Sequence, residues 1–300
     1  MNDLPLISII INCFNGDRFL QKALDSVISQ TYKNWEIIFW DNQSTDKSAE
    51  IFNSYKDVRF KYYKALKHSE ILYEAKNYAL EKANGEFYAF LDVDDWWLPN
   101  KLEKQVPLFK DPKVGIVYGN FWNFFEKKNK TKIFRENILP TGMILKDLLS
   151  NYPVGSPTYI IRKKSLDSLK FHFNNNYHII GEFDLIIRLS VMWKADCVQS
   201  PVAFARRHKK SESYLKRNLE IEEMKVLYTE MKNNLEFSHL KELEQLKRKY
   251  MYLQAMEIIL NKSLTRGFTE VVKYPLCFQK FKLVLAMLMP KFLLKIIKTY

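Results

Sequence analysis

Three carboxylates, Asp92, Asp94 and Asp95, directly follow a short apolar run at 87–91. A run this short and aromatic, with a glycine before it, predicts a buried strand. Carboxylates crowded at a strand end repel one another and resist loss of water, and a divalent cation would relieve that repulsion. Carboxylates set two apart commonly hold Mg²⁺ or Mn²⁺ together with diphosphate oxygens. The alternative is a solvated acidic turn that caps the helix predicted after Pro99.

The first half of the chain alternates strand-like and helix-like segments. Strands that alternate with helices indicate a parallel, doubly wound sheet, in which ligands bind at the carboxyl ends of the strands. From about residue 212 onward the pattern is helical. The predicted strands are 6–11, 35–40, 59–63, 86–91 and 113–119, and the predicted helices of this half are 19–30, 47–54 and 73–82.

The composition is that of a globular protein, with 47% hydrophobic and 27% charged residues in 300. The three cysteines, Cys13, Cys197 and Cys277, are far apart, which fits a reducing compartment and offers no metal-ligand spacing. The N-terminus has neither the basic region nor the cleavage site of a signal peptide. No run of eighteen uncharged apolar residues occurs, so no transmembrane helix is expected. These features predict a cytoplasmic protein.

The positive charge is concentrated toward the C-terminus. The whole chain carries a net charge of +13, and residues 201–300 hold twenty Lys and Arg against ten Glu and no Asp. A basic block of this kind is typical of a nucleic-acid binder or of a protein that sits on an anionic membrane. No recognised nucleic-acid-binding module accompanies it, so we expect no nucleic-acid partner.

Four segments in order carry a resemblance to a known family. They are Ile11-Asn-Cys-Phe-Asn-Gly16, Asp41-Asn-Gln-Ser-Thr-Asp46, Glu74-Ala-Lys-Asn-Tyr-Ala-Leu80 and Leu91-Asp-Val-Asp-Asp95. Over roughly residues 5–210 the chain resembles the family 2 inverting glycosyltransferases with the GT-A fold. The resemblance implies an α/β, Rossmann-like and mostly parallel sheet flanked by helices, followed by a helical C-terminal extension. It implies a catalytic domain at 1–211 and a basic helical region at 212–300, which would be a membrane-surface or dimer element.

The resemblance assigns nucleotide contacts to a set of side chains. Phe14 would stack on the base and Asp41 would accept the ring N–H of a uracil. Turn capping is the alternative for Asp41, since Asp favours that position. Lys76 stands where the family often has Arg, so it supplies charge without a bidentate fork. The full set is Phe14, Asn15, Asp41, Lys76, Asn77, Asp92 and Arg206.

The implied metal is Mn²⁺ or Mg²⁺. Asp92 and Asp94 would bind it at the strand end, and His208 would join them from the segment Ala205-Arg-Arg-His-Lys-Lys-Ser211. That segment resembles the family's Tyr-Arg-x-His-x-x-Ser, in which Arg206 would neutralise the leaving diphosphate. The alternative is a solvated basic loop.

The implied general base is Glu182, in the segment Ile180-Gly-Glu-Phe-Asp-Leu-Ile-Ile-Arg-Leu189. Inverting transfer needs a base for the acceptor hydroxyl. Asp184 and Trp97 would contact the acceptor, the tryptophan through stacking on a sugar ring. The alternatives are acids favoured by the helix dipole and, for Trp97, packing in the core.

The tail at 273–300 mixes large apolar residues with lysine. At 100° per residue, Lys273, Lys280, Lys291, Lys295 and Lys298 fall within about 60° of one another. This pattern predicts an interfacial amphipathic segment with Phe281, Leu285, Leu288 and Phe292 on its apolar side. The alternative is a helix that packs on the domain or on a second copy in a homodimer.

The function expected is transfer of a sugar from a nucleoside-diphosphate donor, of UDP type, to a glycan or lipid-linked acceptor in surface polysaccharide or glycolipid synthesis. The enzyme would be cytoplasmic and peripheral to the inner face of the membrane. A catalytically inactive homologue that still binds nucleotide sugars is the alternative. A nicotinamide-dependent oxidoreductase is excluded, because the loop after the first strand holds one glycine, Gly16, and no Gly-x-Gly-x-x-Gly.

Overall fold

The computed structural model describes residues 4–261 and 264–290. It divides into two compact units. Unit 1 holds the chain up to Leu148 together with Tyr152–His208, and unit 2 holds Leu149–Asn151 and the chain from Lys209 onward. The functional division predicted from the sequence, 1–211 and 212–300, stays a prediction.

Unit 1 opens with the predicted alternation of strands and helices. Isoleucines dominate its first strand, and they are buried on both faces, as expected for an inner parallel strand. The first helix buries an apolar stripe that includes Leu20, Leu24 and Val27. The elements are β1 (Ile7–Cys13), α1 (Asp17–Ile28), β2 (Trp35–Asp41), α2 (Ser48–Ser54), β3 (Phe60–Lys64), α3 (Leu72–Leu80) and β4 (Phe87–Phe90).

The rest of unit 1 is more irregular, and 3₁₀ turns at 106–110, 126–128 and 156–158 interrupt it. Its longest strand has fourteen residues. The elements are β5 (Trp96–Trp97), α4 (Lys101–Gln105), β6 (Val114–Phe125), β7 (Lys130–Ile133), α5 (Leu145–Asn151, of which Leu149–Asn151 belong to unit 2), β8 (Ile160–Arg162), α6 (Lys163–Asp167), α7 (Gly181–Ser190) and β9 (Lys194–Arg207).

One sheet joins these strands in the order β3-β2-β1-β4-β8-β6-β9-β5, with β7 paired to β6. The first four strands are parallel, and β8 then pairs antiparallel with both β4 and β6. β6 and β9 are parallel, with register shifts around Asn120. The parallel half therefore brings the carboxyl ends of β1, β2 and β4 to one edge.

Close approaches at two glycines fix how neighbouring elements of unit 1 pack. One is at the amino ends of β1 and β4, and the other is where α7 begins. Gly85 lies against the backbone of Ser8, where any side chain would overlap β1. Gly181, the first residue of α7, lies against the ring of Tyr73 on α3, and a methyl group there would overlap that ring. The Tyr73 hydroxyl also donates to the carbonyl of Ile179 at 2.7 Å. The start of α7 is therefore held against α3.

Unit 2 is helical, as predicted for the C-terminal region. Its own core includes Ala255, Ile259, Tyr274 and Leu283. Within the described part of the chain, no helix combines the length and the apolar content needed to cross a membrane. The tail predicted at 273–300 is described as far as Pro290, and its residues 291–300 lie outside the described part. The helices are α8 (Glu212–Leu215), α9 (Arg217–Asn233), α10 (Leu243–Asn261), α11 (Leu264–Lys273) and α12 (Phe278–Leu288).

Candidate active site

Asn15 ties together the loops that follow β1 and β2. Its backbone is left-handed, with φ of 53°, and its amide oxygen accepts from the backbone N–H of Thr45 at 2.8 Å. Its own N–H donates to Ser44 Oγ at 3.0 Å. Asn was predicted here as a nucleotide contact, and the structure gives its side chain a loop-building role.

Asp41 is enclosed at the end of β2. One carboxylate oxygen accepts from the Ser44 N–H at 2.7 Å and the other from the Tyr62 hydroxyl at 2.5 Å. Burial and the neighbouring carboxylate of Asp41 raise the pKa of Tyr62, so the phenol remains a donor. Asp41 is fully buried, and its contact with Ser44 is of the kind that the capping alternative predicts. Its predicted contact with a base N–H stays a prediction.

Phe14 lies exposed beyond the end of β1, as a stacking surface requires. Its ring centroid is 4.4 Å from that of His68, which follows β3. Nδ1 of His68 is 2.9 Å from the carbonyl oxygen of Asn42, and this contact orients the imidazole. His68 belongs to none of the four motifs, so no motif pointed to this position. The two rings form an aromatic rim beside the candidate nucleotide position.

Lys76 is the centre of the charged cluster. Its side chain is 3% exposed, and Nζ lies 2.5 Å from Oε1 of Glu182 and 3.4 Å from Oδ1 of Asp92. Burial by itself would lower the pKa of Lys76, but the charges of Asp92 and Glu182 outweigh it and raise that pKa, so the ammonium stays charged. Lys76 was predicted to contact the nucleotide. In this structure its ammonium holds the carboxylates of Glu182 and Asp92 together.

Aromatic rings surround the same ammonium. The ring centroids of Tyr73, Phe90 and Phe173 each lie 5.9 Å from Lys76 Nζ. Ring faces attract cations, more strongly where water is excluded. The side chain of Lys76 is therefore fixed by both ion pairs and its aromatic surroundings.

Asp92 and Glu182 reach this cluster from different elements. Asp92 follows β4, and its second carboxylate oxygen accepts from Ser156 Oγ at 3.1 Å. Glu182 lies in the first turn of α7, where the helix dipole favours an anion. The structure thus brings Glu182, the predicted base, close to Asp92, the first of the three carboxylates that follow β4.

Tyr159, just before β8, adds a buried hydroxyl close to these charges. Its ring packs 5.0 Å from that of Phe90, and its hydroxyl has no hydrogen-bond partner among the described residues. Burial raises the pKa of Tyr159, and the charge of Glu182 raises it further. No sequence signal pointed to this residue.

Asp94 and His208 form the candidate metal site. Asp94 Oδ2 lies 2.9 Å from His208 Nε2, so a carboxylate oxygen and an imidazole nitrogen already face each other. Both are accepted ligands of Mn²⁺, and Mg²⁺ prefers the oxygen. Asp92 instead faces Lys76, and the described residues hold no group of three or more metal-ligating side chains. The pair fits a metal that takes its other ligands from a diphosphate and water.

Arg206 is enclosed beneath this pair. Its Nε donates to the carbonyl of Asp94 at 3.0 Å, and its guanidinium lies 4.4 Å from the ring centroid of Phe19. Its backbone N–H donates to Asp95, whose pKa is raised by burial and then by the charges of Asp94 and Asp92. Arg206 thus supports the loop that carries Asp94 and Asp95, and its predicted contact with the leaving diphosphate stays a prediction.

Three further residues that were predicted to contact the nucleotide or the acceptor have partners within the protein: Asn77, Trp97 and Asp184. Asn77 accepts from the N–H of Phe173 and donates to its carbonyl, both at 3.0 Å, so it clamps that loop. Trp97 is buried, and its indole N–H donates to the carbonyl of Pro157 at 2.8 Å. Asp184 is buried and paired with Arg188 at 2.8 Å. All three side chains thus make structural contacts, and the predicted nucleotide role of Asn77 and acceptor roles of Trp97 and Asp184 stay predictions.

A family model described as glycosyl transferase family 2 matches residues 8–169, slightly more than half of the chain. The match includes the loops after β1, β2 and β4, and it ends before α7. Glu182, Arg206 and His208 therefore lie beyond it.

Two relatives from Escherichia coli are named UDP-Glc:alpha-D-GlcNAc-diphosphoundecaprenol beta-1,3-glucosyltransferase. WfgD is 32% identical over 168 residues, which covers 56% of this chain and 64% of that protein. WfaP is 38% identical over 119 residues, which covers 40% of this chain and 47% of that protein. The chain thus spans less than two thirds of the length of these relatives.

Solved structures share the fold. The structure of residues 1–349 of S. aureus TarS matches with a TM-score of 0.66 at 17% identity, over 89% of this chain and 78% of that one. The mannosyltransferase PcManGT from Pyrobaculum calidifontis, in complex with GDP-Man and Mn²⁺, matches with a TM-score of 0.64 at 14% identity, over 91% and 75%. These likenesses confirm the predicted α/β fold of GT-A type. The chain belongs to glycosyl transferase family 2.

Proposed function

We propose that this enzyme transfers one sugar, with inversion, from a nucleoside-diphosphate donor of UDP type to a hydroxyl of a glycan or lipid-linked acceptor. The observation that carries the proposal is the cluster in which Lys76 joins Glu182 to Asp92. A carboxylate on α7 then stands beside the acidic loop after β4, at the edge where this class of sheet binds its ligands.

The names of the relatives support the donor and the stereochemistry. WfgD and WfaP are named for UDP-Glc as donor and for a β-1,3 linkage in the product. The glucose of UDP-glucose is α-linked, so a β-linked product means inversion at the anomeric carbon. TarS has been solved with UDP and with UDP-GlcNAc.

Glu182 would act as the general base. Its carboxylate removes the proton of the acceptor hydroxyl while that oxygen attacks the anomeric carbon. The bond from that carbon to the diphosphate oxygen breaks, and its electron pair leaves with the diphosphate. In the structure the Lys76 ammonium occupies Oε1 of Glu182 and competes with an acceptor hydroxyl for it. We therefore expect the donor's diphosphate to draw Lys76 away before transfer.

Asp94 and His208 would hold the divalent metal. A bound Mn²⁺ or Mg²⁺ would neutralise charge on the departing diphosphate. The chain's own contribution is to keep the two ligands facing each other. Arg206 does so by donating to the carbonyl of Asp94 and to the carboxylate of Asp95 from its backbone.

The acceptor proposed is a lipid-linked sugar diphosphate, the class named for WfgD and WfaP. Such an acceptor is anchored in a membrane, so the enzyme would work in the cytoplasm at the membrane's inner face. The building of surface polysaccharide or glycolipid is the corresponding pathway class.

A donor panel with analysis of the product tests this proposal. The protein would be incubated with UDP-glucose, UDP-GlcNAc and GDP-mannose, Mn²⁺ and a short-chain lipid diphosphate sugar. We expect nucleotide release with a UDP-sugar and, by NMR, a β-linked product from the α-linked donor. A retained configuration contradicts the mechanism. Donor binding without transfer to any acceptor of this class would favour the inactive homologue.

A further inference from the structure

The helix α12 carries an apolar face that points away from its own unit. Leu283 and Ala286 on one side are buried in the core of unit 2. Five large apolar side chains on the opposite side are between 39% and 78% exposed. At 100° per residue they fall within about 120° of helix circumference. They form what we name the α12 apolar face: Phe278, Phe281, Val284, Leu285 and Leu288.

This arrangement is the reverse of an ordinary surface helix. Such a helix turns polar side chains outward and keeps one apolar stripe for the core. The neighbouring segments add more exposed apolar surface, with Phe268 and Val272 on α11 and Leu276 in the turn before α12. Exposed apolar surface that is continuous along a helix marks an interaction site.

The charged side chains on α12 and in the sequence after it are all lysines. Residues 271–300 carry six lysines and no acidic residue. Lys282 lies beside the face, with Nζ 4.9 Å from the ring centroid of Phe278. Lys280 donates to the carbonyls of Tyr274 and Val272 at the end of α11, and Lys273 pairs with Glu270 at 3.1 Å. Lysines 291, 295 and 298 follow in the sequence, outside the described residues.

We propose that the α12 apolar face and its lysines dock unit 2 on an anionic lipid surface. Phe and Leu side chains of this kind enter the boundary between headgroups and acyl chains, while lysine ammonium groups remain among the headgroups. Pairing of this face with a second copy would bring together lysines from both chains with no acid in 271–300 to offset them. The charge therefore favours anionic lipid over self-association. The inference stands on unit 2 by itself and does not depend on the transfer reaction.

A flotation experiment with the full chain tests the proposal. The vesicles would contain phosphatidylcholine alone or phosphatidylcholine with phosphatidylglycerol, at low and at high salt. We expect the protein to float with the anionic vesicles at low salt, and less of it at high salt. The double variant Phe281→Ser/Leu288→Ser should lose most of this binding. Lys282→Gln should weaken it about fivefold, as expected for one lysine near such a surface.

Matched variants in unit 1 control for general effects of the substitutions. Val58→Ser/Leu66→Ser changes two apolar side chains that are also exposed, and Lys132→Gln removes an exposed lysine from β7. Both should float like the unchanged protein. Circular dichroism should give the same helix content for every variant.

Three outcomes would overturn the proposal. The first is a full-length protein that does not float with anionic vesicles at low salt. The second is undiminished flotation of Phe281→Ser/Leu288→Ser. The third is concentration-dependent self-association that the same double substitution abolishes while vesicle binding is absent, which would assign the face to a second copy of this chain.

Discussion

Nζ of Lys76 lies 2.5 Å from Oε1 of Glu182, and the two residues come from helices more than a hundred positions apart in the chain. Lys76 is on α3 and Glu182 is in the first turn of α7. The packing of Gly181 on Tyr73 holds the two helices together there. The same ammonium reaches Asp92 after β4. One buried cation therefore links the predicted base to the acidic motif.

Replacing Lys76 by Met should destabilise the protein strongly. The substitution leaves the partly buried carboxylate of Glu182 and that of Asp92 without their cation. Breaking a buried ion pair by removing one partner costs about 3–5 kcal/mol. Urea denaturation should give a loss in this range for Lys76→Met and a smaller one for Lys76→Arg, which keeps the charge. Equal stability of Lys76→Met and the unchanged protein would rule out a structural role for the ion pair.

Lys101 should reduce stability at neutral pH. It is fully buried, its Nζ lies 4.1 Å from the ring centroid of Trp97, and it has no hydrogen-bond partner among the described residues. Burial lowers its pKa well below the usual value. Between that lowered pKa and about 10.4 the unfolded chain binds more protons, so the free energy of unfolding attributable to this residue rises with pH.

The test of this penalty is Lys101→Met. We expect it to stabilise the protein at pH 7 by about 1–3 kcal/mol, the cost of an unsatisfied buried polar group. The gain should shrink as the pH approaches 10. Chemical denaturation at several pH values measures both effects, and a destabilised Lys101→Met with the same pH slope as the unchanged protein would show that Lys101 has a partner.

Phe14→Ala should weaken nucleotide binding. Its exposed ring beside His68 offers a stacking surface, and stacking of a base on an aromatic side chain is worth about 1–3 kcal/mol. Calorimetry with UDP should show a dissociation constant raised by about tenfold or more. Val58→Ala, which removes an exposed apolar side chain away from the site loops, is the control. Unchanged affinity of Phe14→Ala would place the base elsewhere.

Asp94→Ala and His208→Ala should each remove the effect of Mn²⁺ on UDP binding while the fold is kept. Asp94 is in the loop after β4 with its side chain 25% exposed, and His208 directly follows β9 with its side chain 9% exposed, so both side chains lie outside the strands of the sheet. Calorimetry with and without Mn²⁺ would be compared with Asp111→Ala, a carboxylate at the surface. Metal-enhanced binding that survives in both variants would move the metal site away from this pair.

The parallel half of the sheet could be predicted from the sequence. β1, β2 and β4 coincide closely with the predicted strands, because buried parallel strands are rich in apolar residues. β3 also coincides with a predicted strand, although it is a partly buried edge strand with two lysines. The strand β9 was not predicted. Its centre, Gln199-Ser-Pro201, is polar and carries a proline, and its pairing with β6 shifts register there. The extended conformation of β9 therefore depends on its pairing with β6 more than on the strand propensity of its own residues.

The residues of the candidate site also divide into those that could be predicted from the sequence and those that could not. Asp92, Asp94, His208 and Glu182 could be singled out because their motifs are local in the sequence. The partners of Asp41, Asn77 and Trp97 could not, since they come from other elements: Tyr62 on β3, the loop at 173–175 and Pro157. The hydrogen-bond partner of a buried polar group depends on how those elements pack. It therefore cannot be predicted from a local sequence pattern.

The rate of sugar transfer by Glu182→Gln tests the central claim most directly. Gln keeps the shape of the side chain but cannot accept the proton of the acceptor hydroxyl. We expect kcat to fall by at least ~10²-fold, the low end for general-base catalysis, with the dissociation constant for the donor unchanged. Glu50→Gln, at an exposed position on α2, is the matched control and should keep full activity. Near-normal turnover by a folded Glu182→Gln protein would contradict the assignment of Glu182 as the base.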